Sequence, residues 1–158
     1  MNKFEKISAR RFSDDISDKC AYDDIKLPVR ATKNSAGYDF FAPFDFTLAS
    51  GESIKVPTGI RVLLDDDKVL LIAPRSGLGF KYRLQLDNTL GVVDADYSGS
   101  DNEGHIFIKI TNDSKEGKTL SVKKGEAFAQ GIIVQFFKTV DDNATEERNG
   151  GFGSTNKK

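Results

Sequence analysis

From Ile25 onward the apolar residues fall in short runs rich in Val, Ile and Phe: IKLPVR, YDFFAPFDFTL, ESIKVP, GIRVLL, KVLLIAP, LGVVDADY, HIFIKIT, KTLSV and AQGIIVQFFKTV. Polar turn segments separate them, namely ASGE, PTG, LDDDK, SGSDNEG, NDSKEGK and KKGE. Short strands punctuated about every ten residues by Gly, Asp, Asn and Pro predict an all-β fold, a β-sandwich or jelly roll, rather than alternating helices and strands. No segment carries a long helical period, and no internal repeat is present. Residues 1–24 form a polar leader, in which Phe12, Ile16 and Tyr22 are the candidate anchors; DDISDK and AYDD read as a surface wrap more than as a helix. The β-sandwich is expected over residues 25–143, and residues 144–158 form a glycine-rich C-terminal arm.

Composition narrows the function. At 158 residues the chain fits one domain with a sizeable core. Lys plus Arg is 23 and Asp plus Glu is 24, so no overall field draws in nucleic acid or anionic lipid, and an anionic ligand must be met by local cations. Cys20 is the only cysteine and His105 the only histidine, which leaves no disulfide and no thiolate or multi-histidine metal cluster. A reducing compartment fits. The start MNKFEKISARRF has no apolar core of signal-peptide length, and VLLIA is too short to span a bilayer, so a cytoplasmic location without membrane association is expected.

Four internal segments and the chain end carry candidate chemistry. In APRSGLGFK a strand runs into Arg75, Ser76 and Gly77, where a glycine lets backbone N–H groups turn toward one anion while Arg75 and the Ser76 hydroxyl add donors. An ordinary loop with a surface arginine is the competing reading. In DNTLGVVDADYSG, Asp94 and Asp96 fall on one side if the segment is extended, and Gly91 permits close approach of backbone or ligand. One of the two could orient a water; otherwise they are solvated turn formers. Asp39 in SAGYDFFAP lies among aromatics and therefore needs a partner. Gln130 precedes an apolar strand, where its amide either donates to a phosphate or caps the sheet. The end RNGGFGSTNKK sets one aromatic ring, Phe152, among glycines, hydroxyls and cations, more than a plain spacer needs. His105 reads as an ordinary strand-face residue, and Cys20 has no neighbouring histidine to activate it.

Taken in order, AGYD, PRSGL, GVVDADYSG, GEAFAQ and RNGGFGST resemble the five ordered motifs of the all-β homotrimeric dUTPase family, from about Ile25 to Thr155. The resemblance implies a jelly-roll-like trimer with a mobile C-terminal arm that hydrolyses dUTP to dUMP and pyrophosphate by attack of water on the α-phosphorus. Such an activity limits uracil incorporation into DNA and supplies dUMP for dTMP synthesis. By the same resemblance Asp94 activates the water, and Asp39 supports it and a Mg²⁺ ion carried by the substrate phosphates rather than by direct protein ligands. Arg75, Ser76, Gly77 and Gln130 would hold the phosphates. Asn88, Gly91 and Val93 would read uracil and leave no room for a C5 methyl, while Tyr97 would pack under the deoxyribose and reject a 2′-hydroxyl. The arm would close over a neighbouring subunit's site, Phe152 and Gly153 covering uracil and Arg148, Ser154 and Thr155 meeting the terminal phosphates.

The chain departs from the family pattern in several places. Its last motif is one residue shorter between Arg and Phe and ends on Asn156, so Lys157 or Lys158 could share the γ-phosphate. Ala127 and Ser98 stand where arginines are common. SGSDNEG is long and predicts an extended hairpin tip, and the leader is also long, with no role assigned. Two other functions fit the pattern less well. A dCTP deaminase shares the trimer and an R-S-[GS]-L segment but lacks the D-x-x-Y hairpin and the G-F-G-S-T arm. A nucleotide-sensing regulatory protein could use the leader or the hairpin to bind an unidentified protein partner. The residues do not distinguish a cellular enzyme from a phage-encoded one acting in host cytoplasm.

Overall fold

Strand residues alternate between core and solvent as their pleat requires: in Phe107–Asn112, Ile108, Ile110 and Asn112 are buried while Lys109 is exposed. The computed structural model describes residues 1–146. Among them the elements run β1 (Lys3–Lys6), α1 (Ala9–Asp15), a 3-10 turn (Tyr22–Asp24), β2 (Val29–Arg30), β3 (Tyr38–Phe41), β4 (Phe46–Leu48), β5 (Ser53–Pro57), β6 (Ile60–Leu63), β7 (Lys68–Pro74), α2 (Ser76–Tyr82), β8 (Leu84–Leu86), β9 (Gly91–Asp94), a second 3-10 turn (Ala95–Gly99), β10 (Phe107–Asn112), β11 (Leu120–Val122) and β12 (Ala127–Gln135). The fold is all-β, as the short runs predict, with two short helices. No helix among the described residues is long and apolar enough to cross a membrane.

Every strand pairing is antiparallel. The largest sheet has the order β2-β3-β12-β7-β9, a second has β5-β10-β8, and two ribbons pair β1 with β6 and β11 with β4. Side chains from all four sheets meet in one core: Phe40, Leu70, Ile72 and Phe128 from the first, Val56, Leu86, Ile108 and Ile110 from the second, and Phe4, Ile60, Leu48 and Leu120 from the ribbons. A bulge at Phe128 shifts the register of β12 against β3, so that Ala127 faces Phe41, Ala129 faces Phe40 and Gln130 faces Asp39.

Three sequence expectations need correction. The leader is not a polar wrap apart from the sandwich: β1 adds to β6, α1 forms, and Phe4, Ile7, Phe12 and Ile16 join the common core. The helix starts where Ser8, in extended conformation, caps the first turn by accepting from the N–H of Arg11, and its Phe12 and Ile16 lie four residues apart on one face. Tyr22 packs edge-on against Phe12 and donates its hydroxyl to the Ile7 carbonyl at 2.8 Å. SGSDNEG is no extended hairpin tip either, since Ala95–Gly99 coils into the second 3-10 turn and Ser100–Gly104 folds back over it through further turns.

The third correction concerns His105, which is fully buried between the leader and the turn before β6. The Gly59 N–H donates to its Nε2 at 2.9 Å, so the ring proton sits on Nδ1, 2.7 Å from Asp15 Oδ2. Burial pushes the imidazole below its ordinary value, against the pull of the Asp15 carboxylate. The last turn of α1 is thereby fastened to His105, two residues before β10. Because Ile16 is 1 % exposed within this joint, Ile16→Ala is expected to destabilise the whole domain by about 2–5 kcal/mol in a urea titration. A leader that merely lay on the surface would leave the midpoint unmoved.

Candidate active site

The strand register of the large sheet brings three of the motif segments together. Asp39 on β3 lies opposite Gln130 on β12, and Gln130 lies opposite Ala73 on β7, so Arg75, just past the end of β7, reaches back across β12. Its Nε is 3.1 Å from Asp39 Oδ1, and its Nη1 donates to the Ala127 carbonyl at 3.4 Å. The expected partner of Asp39 is therefore Arg75. With Nε committed to the carboxylate, the remaining guanidinium N–H groups are held as an oriented fork. Gln130 donates Nε2 to the Pro74 carbonyl at 3.1 Å, and Gly37 makes room for it: a Cβ there would stand 2.5 Å from Gln130 Oε1.

Asp39, Arg75, Ser76, Gly77 and Gln130 line one cleft of about 490 Å³, to which Ser35 and Gly37 also contribute. Arg30 shapes its rim by donating to the carbonyls of Lys33 and Ser35. The RSG segment is not the expected loop nest. Arg75 is the N-cap of α2, and the first-turn N–H groups of that helix have no helical acceptors. Two glycines argue against a helix here, but Leu78 and Tyr82, one turn apart, pack on the core and override propensity. Arg83, with φ 48°, terminates it.

Asn88, Gly91, Val93 and Tyr97 line a second cleft, of about 580 Å³, with Ile72, Leu86 and Ile106 as its apolar walls and Lys55, Asp87 and Lys109 at its edge. The segment is not a paired hairpin: β8 bonds to β10 in one sheet and β9 to β7 in the other. The chain changes sheets between Leu86 and Gly91, through a positive φ of 67° at Thr89, and the cleft opens where the two sheets part. Gly91 pairs with Ile72 so closely that a Cβ would stand 2.9 Å from the Ile72 Cβ. Asp87 has its carboxyl held below the usual range by the Lys109 ammonium at 2.7 Å, with the Thr111 hydroxyl also donating to it. Sequence reasoning missed the lysines of this rim, Lys55 between Ile54 and buried Val56 on β5 and Lys109 between buried Ile108 and Ile110 on β10, which look like ordinary solvated positions.

Asp94 occupies neither cleft. It ends β9 opposite Val69 and lines a third depression, of about 350 Å³, together with Asp66, Asp96, Phe136 and Lys138. The extended run expected to carry Asp94 and Asp96 stops at Asp94, yet the following 3-10 turn keeps both at this depression. Within one chain Asp94 is remote from Asp39: β9 and β3 are three strand spacings apart, and their partners Val69 and Ala73 lie four residues apart on β7, roughly 20 Å in all. Arg148, Phe152, Gly153, Ser154 and Thr155 lie outside the described residues.

The dUTPase family model matches residues 23–156. The chain belongs to the dUTPase family. It is similar to a deoxyuridine 5'-triphosphate nucleotidohydrolase of Lactococcus lactis, 40% identical over 134 residues, covering 83% of this chain and 88% of the relative. A protein of the same name from Hahella chejuensis is 38% identical over 151 residues, covering 90% of this chain and 95% of that one. Among solved structures, the dUTPase of Streptococcus mutans superposes with a TM-score of 0.67 at 31% identity, covering 86% of this chain and 97% of that chain. A dUTPase variant from phage phi11 of S. aureus, in which a structural Mg(II) ion is coordinated, shares the fold with a TM-score of 0.66 at 20% identity, covering 92% of this chain and 97% of that one. The match begins at residue 23, so β1 and α1 precede it.

The contact between Gly91 and Ile72 can be checked directly. Gly91→Ala is expected to force β9 away from β7, lowering stability by about 1–3 kcal/mol, as read by thermal melts and urea titration.

Proposed function

We propose that this chain is a dUTP diphosphatase that cleaves the bond between the α- and β-phosphates of dUTP, releasing dUMP and pyrophosphate, and that it acts as a homotrimer with shared sites. Membership in the family supports the reaction. One observation carries the shared site: the cleft of Asp39, Arg75 and Gln130 and the residue Asp94 are roughly 20 Å apart in one chain, too far for both to engage one triphosphate. A second copy, turned so that its β9 edge faces the first copy's Arg75 cleft, removes the separation. Cyclic symmetry then closes the ring.

In this reading the triphosphate enters the cleft of Asp39, Arg75, Ser76, Gly77 and Gln130. The Arg75 fork takes phosphate oxygens while Asp39 fixes its orientation, and Ser76 and Gly77 line the same cleft beside it. The neighbouring chain supplies the 580 Å³ cleft: Asn88 and the backbone at Gly91 and Val93 meet the uracil edge, and the Tyr97 ring closes against the sugar. Asp94 of that same neighbour accepts a proton from the attacking water as its oxygen bonds to the α-phosphorus in line with the departing pyrophosphate. The arm, with Arg148, Phe152, Gly153, Ser154 and Thr155, closes the cleft and excludes water. We assign Mg²⁺ to the substrate phosphates rather than to a protein cage, because Mg²⁺ characteristically keeps its waters and binds through phosphate oxygens. When bound it would neutralise phosphate charge, and Asp39, the carboxylate of the phosphate cleft, would hold one of its waters. We assign the enzyme to the cytoplasm of its cell or, if phage-encoded, of the host, a reading with which the lone, unpaired Cys20 is compatible.

Pyrophosphate release measured with Mg²⁺ on dUTP, UTP, dCTP and dTTP tests the reaction. Rapid turnover of dUTP alone is expected; ammonia from dCTP would assign a deaminase instead, and equal rates across the panel would refute the proposed nucleoside cleft. The shared site has its own test. Asp94→Asn and Arg75→Ala are each expected to lose nearly all turnover, Asp94→Asn while still binding nucleotide. When the two variants are unfolded and reassembled together, about a quarter of the sites in random trimers pair an intact Asp94 with an intact Arg75, and activity should return in that proportion. Mixed assemblies that stay inactive would rule out sites shared between chains.

A further inference from the structure

The leader, most of which precedes the residues matched by the family model, and the stretch after Tyr97 bind each other in the fold. Glu103 accepts the Ser8 N–H at 2.8 Å and the Ser8 hydroxyl at 2.6 Å, clamping the start of α1, and the Ser8 contacts hold its carboxyl below the usual range. Arg11 donates to the Asp101 carbonyl at 3.0 Å, and the Nδ1–H of His105 donates to the Asp15 carboxylate at 2.7 Å. The loop between these points leads straight to the nucleoside cleft. Asn102 donates Nδ2 to the Tyr97 hydroxyl at 2.8 Å, and that hydroxyl in turn donates to the His105 carbonyl at 3.0 Å. Asn102 holds its own amide in place by accepting the Gly104 N–H at 3.1 Å. Tyr97, 5 % exposed and lining the cleft with its ring, is thus pinned at its far end by a donor and an acceptor that both belong to the leader-braced loop.

We infer that Asn102 is a positioning residue for sugar selection, and that α1, through Ser8, Glu103 and the Asp15–His105 contact, is the brace that keeps it in place. This rests on the reading of Tyr97 as the ring that faces the deoxyribose. A ring excludes one extra hydroxyl only if it cannot rock aside, because the steric difference between dUTP and UTP is a single oxygen atom. Fixing the hydroxyl end of Tyr97 stops that motion. Neither the phosphate cleft nor Asp94 is touched by Asn102 in the contacts described above, so its influence should fall on discrimination and on KM more than on kcat.

The experiment is the ratio of kcat/KM for dUTP to that for UTP, measured on the full chain with Mg²⁺. Asn102→Ala is expected to lower the ratio roughly three- to tenfold, the weight of one hydrogen bond, with the dUTP loss mainly in KM. In a Tyr97→Phe background, which has no hydroxyl to hold, the same substitution should change the ratio less than about twofold, because the two groups act as one unit. An undiminished ratio in Asn102→Ala, or an equal loss with and without the Tyr97 hydroxyl, would overturn the inference. Glu103→Ala, at the outer end of the brace, should shift the ratio in the same direction and decides the matter if Asn102→Ala fails to fold. Failure of the underlying reading looks different: the wild-type chain would not prefer dUTP, or Tyr97→Ala would leave its preference intact.

Discussion

The register of β12 between β3 and β7 governs the placement of everything else. The Phe128 bulge spends one extra residue of β12 against β3, burying Phe128 completely and turning Gln130 to face Asp39. Without the bulge the next residues of β12 would present their opposite faces, and the row Asp39, Gln130, Ala73 would not form. Arg75 then has a carboxylate to reach for. The Arg75–Asp39 pair is itself a weak source of stability, since the arginine side chain is 43% exposed and water screens the interaction. Its value lies in aiming the guanidinium before any anion arrives, which lowers the ordering that binding has to supply.

The same ladder fixes what one chain lacks. Asp94 is tied to Val69 at the other end of β7, on the far edge of the sheet, and regular backbone pairing gives it no freedom to approach Asp39. The cleft of Asp39, Arg75 and Gln130 and the cleft of Asn88, Gly91 and Tyr97 are therefore separate surfaces of one protomer. Under the proposed function, joining them through assembly would make turnover conditional on the oligomer while leaving each half rigid, because each is built on paired strands rather than on a loop spanning the gap. Val92 at 58% exposure and Phe137 at 85% lie near the edge that carries Asp94, apolar surface of the kind that contact between copies would cover.

Most of the fold was legible because short alternating runs bounded by Gly, Asp and Pro have one simple solution, and KVLLIAP, ESIKVP and HIFIKIT became β7, β5 and most of β10. The grouping of Asp39, Arg75, Ser76, Gly77 and Gln130, and of Asn88, Gly91, Val93 and Tyr97, could be read only through the ordered motifs; nothing in local periodicity says that β3, β12 and β7 are neighbours. What escaped the sequence has physical causes. α1 is seven residues long and α2 carries two glycines, so neither shows a helical period, and each exists because a few side chains, Phe12 and Ile16 or Leu78 and Tyr82, find the core. β8 and the sheet change after Leu86 depend on pairing with β10, a partner more than twenty residues away in the chain. His105 looked like a strand-face residue because its two partners, Asp15 and Gly59, are remote in sequence.

That histidine explains why the leader could not be discarded as decoration. A buried imidazole with Nε2 satisfied by a backbone N–H needs an acceptor for Nδ1–H, and leaving that proton unpaired costs about 1–3 kcal/mol. Asp15 supplies the acceptor only when α1 is docked. The carbonyl of His105 accepts the Tyr97 hydroxyl, so the ring that lines the 580 Å³ cleft and the helix at the chain's start are each one hydrogen bond away from His105. Loosening α1 removes the acceptor on one side of His105, and relaxation of that residue shifts the carbonyl on the other. The leader is coupled to the cleft through a group that is itself fully enclosed, where packing leaves little room to absorb a displacement locally.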